Sequence, residues 1–130
     1  MSTSDAEETE FETWIVEEFA ERRAFTALVI LVEIGETDVR PLSSTYFAVV
    51  GDDVGWPEIA ALFSGAGIAW DGAAFFAISA AGGGPLDNAA ARAELGELER
   101  RVKADRLTIN EGHFFDKQGR RVMVEEVPPQ

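Results

Sequence analysis

The chain has 130 residues, of which 46% are hydrophobic and 27% charged, values that suit one globular domain with a single core and exclude wholesale disorder. Cysteine is absent, which removes disulfides, zinc–thiolate sites and thiol nucleophiles in one step. The net charge of -13 repels phosphate backbones and anionic membranes, so direct nucleic-acid binding is not expected.

The charge is concentrated. The first 21 residues hold eight carboxylates (Asp5, Glu7, Glu8, Glu10, Glu12, Glu17, Glu18 and Glu21) and neither Lys nor Arg, which leaves -13 - (-8) = -5 for the remainder. Acids stand where a secretory signal would place Lys or Arg, and the apolar run Ala24 to Val32 is about half the ~20 residues a membrane span needs. A cytoplasmic protein is expected. Arginine outnumbers lysine nine to two, a composition associated with GC-rich bacterial genomes.

Ser4 and Glu7 have the Ser-x-x-Glu spacing of a capping box, and a helix is predicted from Asp5 to Arg22. Phe11, Trp14, Ile15 and Phe19 recur at helical spacing and must face the body of the protein. Glu18 enters the same stripe, with Arg22 four residues later in the favourable order for an ion pair. The outer face carries the acids.

Ala24 to Ile34 lacks polar alternation and reads as a central strand covered on both faces. Gly35 to Asp38 is a turn, and Thr45 to Val50 a second strand that pairs antiparallel with the first. Gly51 to Gly55 leads into a short helix from Pro57 to about Ser64 whose apolar face is Ile59, Leu62 and Phe63, with Gly65 or Gly67 as the left-handed stop. Ile68 to Ser79 is a third strand region, interrupted at Asp71-Gly72, and strand, helix and strand here fit a right-handed crossover.

Ala80 to Pro85 reads as a flexible Gly-rich connection. Asp87 is the N-cap of a second long helix reaching Lys103, with Ala91, Leu95, Leu98 and Val102 inward and Glu97–Arg101 and Glu99–Lys103 as surface pairs. Arg106 to Asn110 is a short strand candidate, and His113–Asp116 with Arg121–Val127 reads as a hairpin around Lys117-Gln118-Gly119. The order α-β-β-α-β-α-β-β predicts a single two-layer α+β domain over residues 1–130, with residues 1–4 and 128–130 as disordered ends. Its sheet is expected to be mixed or mainly antiparallel, of about five strands, with two long helices and one short one.

Catalytic signatures are sparse. His113 is the only histidine, but no Gly-x-Ser-x-Gly elbow exists to serve it, and a polar hairpin residue is the simpler reading. Gly82-Gly83-Gly84 lies between a predicted strand and helix but lacks the Gly-Lys-Ser/Thr continuation of a phosphate loop. Asp52, Asp53 and Asp71 lie at strand ends, where hard cations find oxygen ligands, yet no Asp-x-Asp-x-Asp-Gly loop accompanies them. Trp14, Trp56 and Trp70 read as core, with Trp56 the exception: beside two acids, a surface indole suits an Arg anchor.

The sequence therefore points to a non-enzymatic protein-binding domain whose partner has a basic surface. Its partner-binding residues are expected to be Glu10, Glu17, Glu21, Asp52, Asp53 and Trp56, with no catalytic residue, no metal ligand and no cofactor. Two alternatives stand beside it: an enzyme or binder using a divalent metal or small ligand at Asp52, Asp53 and Asp71, and an acidic decoy, such as a nucleic-acid mimic or immunity-type inhibitor. Homodimerisation through Phe11, Trp14 and Phe19 is a further expectation.

Overall fold

A computed structural model describes residues 9–36 and 38–123. The uninterrupted apolar run becomes β1 (Phe25–Ile34), and its first eight residues are all buried. That pattern requires cover on both faces, because side chains alternate across a strand. β2 (Val39–Val49), β3 (Gly72–Ile78) and β4 (His113–Asp116) complete one open antiparallel sheet in the order β2-β1-β3-β4. β1 is antiparallel to both its neighbours, so β2 and β3 run parallel with β1 between them.

Alternation divides the core into two. Phe25, Ala27, Val29 and Leu31 of β1 join Ala73, Phe75 and Phe115 on one face, where Phe11, Trp14 and Ile15 of α1 (Glu10–Arg22) and Ile59 and Phe63 of α2 (Trp56–Ser64) cover them. Leu28, Ile30, Val32, Ala74 and Phe114 point the other way, onto Leu98 and Val102 of α3 (Asn88–Ala104) and Ile109. Each large side chain hidden this way contributes about 1.5–3 kcal/mol. The fold is α+β as expected, but helices cover both faces, so it has three layers where two were predicted. The continuous burial of β1 already required this.

Several boundaries move for local reasons. The first helix starts at Glu10, capped by Thr9; the Ser4–Glu7 capping box predicted upstream lies outside the described residues, as do the ends read as disordered. β2 begins at Val39 and includes Pro41, although the strand was expected only from Thr45. Pro is tolerated there because β2 is an edge strand and its register shifts opposite Leu31/Val32. β3 starts only at Gly72, because Asp71 ends the upstream segment by donating its N–H to the Val32 carbonyl (2.8 Å) and accepting from the Ile34 N–H (2.9 Å).

Arg106 to Asn110 is not a strand: Arg106–Glu111 forms a 3₁₀ helix. Asp105 accepts the Leu107 N–H at 3.0 Å, and Thr108 and Ile109 are buried side by side, so the apparent Leu-Thr-Ile alternation does not correspond to two faces. The predicted hairpin keeps its first arm, β4, and its turn, but the second arm is reduced to a bridge between Phe115 and Arg121, with residues 124–127 outside the described range. The described sheet thus has four strands, not five. Gly82-Gly83-Gly84, read as a flexible linker, closes a turn in which Ala80 donates to the Gly84 carbonyl and Gly83 to that of Ala80, both at 2.9 Å.

Leu62, assigned to the apolar face of α2, is 65% exposed. The surface pairs on α3 also differ: Glu97 binds Arg100, Arg101 reaches Glu111, and Glu99 accepts the Ser44 hydroxyl of β2. The expected N-cap, Asp87, is present and accepts the Ala90 N–H at 2.7 Å.

Candidate functional site: the outer face of the first helix

α1 is held at its start by a reciprocal cap. Glu12 donates its N–H to the Thr9 hydroxyl (3.2 Å), and its carboxylate accepts the Thr9 N–H (2.8 Å). The second Glu12 oxygen accepts the N–H of Trp56 at 2.7 Å, so one side chain caps two helices and fixes α1 against the start of α2. The sequence reading placed the capping box at Ser4 and Glu7 and missed this role, since the contact with Trp56 is 44 positions away. The capping spacing Thr9-x-x-Glu12 was the one available signal.

The buried stripe is as expected. Phe11, Trp14 and Ile15 are at most 2% exposed, and Phe19 packs against them. Glu18 pairs with Arg22 and accepts the Trp14 indole N–H at 3.1 Å, while Arg22 also donates to Ser79 at 3.2 Å. Phe11 and Trp14 are buried on their own sheet and Phe19 is half-buried against it, so of the three side chains expected to join a homodimer only part of Phe19 stays exposed.

Glu10, Glu17 and Glu21 recur one or two helical turns apart on an exposed face that flanks the buried stripe. Glu10 is partly engaged, accepting the Arg121 N–H at 2.7 Å. Glu17 and Glu21 form no hydrogen bond or ion pair with the described residues, and neither do Asp52 and Asp53. Most other described acids are occupied: Glu33, Asp38, Glu97, Glu111 and Asp116 pair with arginines, and Glu58, Asp87 and Asp105 cap backbone N–H groups, whereas Glu36 and Glu94 stand singly, without a partner among the described residues.

The second half of the expected site does not assemble. Trp56 is 4% exposed, packs at 5.0 Å from the Phe11 ring and donates its indole N–H to the Lys117 carbonyl at 2.7 Å. It is core, not an anchor. Asp52 and Asp53 are exposed in the preceding loop, whereas Asp71 is committed to the backbone of β1, and among the described residues no three His, Asp or Glu side chains converge as metal ligands would.

His113 is more integrated than a turn residue should be. Its ring stacks on Trp14 at 4.9 Å, and Arg121 donates to Nδ1 at 3.0 Å, which leaves the ring proton on Nε2. Burial lowers its pKa below the usual 6.5, Arg121 adds to the effect, and Glu18 and Glu17 oppose it. The stacking partner lies 99 positions upstream, so no local pattern announced it.

Two hollows flank β2. One, of about 160 Å³, lies against α3 and includes Leu42, Ser44, Glu99 and Lys103; the other, of about 410 Å³, lies against α2 and includes Phe47, Leu62, Phe63 and Ala66. No helix among the described residues is long and apolar enough to cross a membrane. No protein-family model, curated protein or solved structure matches this chain.

Proposed function

We propose that this protein is a non-catalytic, cytoplasmic binding domain that captures a basic segment of a partner protein on the exposed carboxylates of α1. The single observation behind this reading is that Glu17 and Glu21 stand on a rigid, doubly anchored helix with no cationic partner among the described residues. Carboxylates held in place without a counter-charge lose little entropy when a cationic partner arrives, and their field also speeds its approach. Asp52 and Asp53 extend the acidic surface at the loop that precedes α2, but Trp56 takes no part.

The test is a pull-down with the full chain against its Glu17→Gln/Glu21→Gln variant. A partner with a basic surface should be retained by the former, released as salt is raised, and lost from the latter. Recovery of no partner, or retention indifferent to both changes, would refute the reading. Glu10 is left intact because it also holds the Arg121 N–H.

A further inference from the structure

β2 is the sheet's long open edge. Its eleven residues have β1 on one side and, among the described residues, no strand on the other, whereas the opposite edge, β4, is four residues long and is bridged by Arg121. An unpaired edge of this length is normally guarded by charge, proline or a bulge. Here Pro41 and the register shift guard only its beginning. From Ser43 to Val49 there is no Lys, Arg, Asp or Glu, and Thr45, Tyr46, Phe47 and Val49 favour a strand.

We propose that this edge is the interface of a homodimer, in which β2 pairs antiparallel with β2 of a second copy to make one continuous eight-stranded sheet. A twofold axis normal to the sheet keeps like faces together, so the surface must complement itself. It does so on both sides. On one side α2 would meet its symmetry mate, bringing together the two exposed Leu62 side chains beside the hollow that Phe47 and Phe63 line. On the other, α3 would lie antiparallel to its mate, with the hollow that Leu42, Ser44 and Lys103 line facing the second copy.

Size and charge agree with a second copy as the occupant. Ser43 to Val49 spans about 24 Å at ~3.4 Å per residue. A helix layer on each face adds to that contact, and a specific interface needs at least on the order of 1,000 Å² in all. The acidic helix lies away from this edge, since the rings of α1 meet Phe75 of β3 and His113 and Phe115 of β4. Two highly anionic chains can therefore join here without setting those carboxylates against each other.

Sedimentation equilibrium of the full chain should show the mass rise from one copy to two between roughly 1 and 300 µM, the range expected of a small interface. Thr45→Lys/Leu62→Lys should weaken association at least tenfold. A monomer at every concentration, or a dimer untouched by this variant, overturns the proposal. Amide exchange of the unmodified chain needs no variant: Ser43–Val49 must become protected as concentration rises. Protection that is equal at all dilutions means that the chain covers its own edge, and it overturns the second copy as occupant.

Discussion

Removing the Glu12 carboxylate should unfasten two helices at once. In Glu12→Ala the Thr9 N–H loses its 2.8 Å acceptor and the Trp56 N–H its 2.7 Å acceptor. Loss of a cap costs about 1 kcal/mol, and a part-buried N–H left without a partner costs about 1–3 kcal/mol more, so a destabilisation of ~2–4 kcal/mol is expected. Thr9→Ala removes only the hydroxyl that accepts from Glu12, leaves the Trp56 bond intact, and should cost ~1 kcal/mol. Glu12→Gln keeps one acceptor oxygen for two N–H groups and should fall between the two. Urea unfolding followed by the fluorescence of the three buried tryptophans measures all three changes. A Glu12→Ala cost no larger than that of Thr9→Ala would refute the reasoning, because it would mean that the contact with α2 contributes nothing. Amide exchange at Trp56 reports the same contact directly, and should accelerate in Glu12→Ala but not in Thr9→Ala.

Arg23 ends α1 at φ 64°, ψ -149°, a region that essentially only glycine occupies at ease. Its side chain is exposed, so Arg23→Gly should raise stability by about 1 kcal/mol after the greater chain entropy of glycine is set against the relieved strain; a lower urea midpoint would count against this. For His113 the native ring resists protonation, so the unfolded chain takes up that proton first. Its contribution to stability is complete above about pH 6.5 and is withdrawn as the pH falls from there toward the lower native pKa. Replacing the only histidine, as in His113→Gln, should flatten this part of the stability–pH curve. A ring titration by NMR at or above the ordinary value would contradict it.

Periodicity and capping residues determined much of the architecture without help from the fold. The spacing of Phe11, Trp14, Ile15 and Phe19 defined the inner face of α1, the unbroken apolar run defined a central β1, and Asp87 marked the start of α3; all are local patterns of side-chain type. The pairing of Glu18 with Arg22 was legible for the same reason, since residues four apart on a helix are neighbours. Tertiary structure alone decided the rest. Trp56 resembled a surface aromatic beside two acids until α1 and the turn at Lys117 closed around it, and Glu12 became a double cap only when α2 was brought to it. Pro41 could sit in a strand because β2 took an edge, and the identity of the free carboxylates depended on which arginines folding supplied to the others. Contacts between neighbours along the chain are written in sequence spacing, whereas those between distant residues exist only after the sheet has ordered its strands and brought the helices onto its two faces.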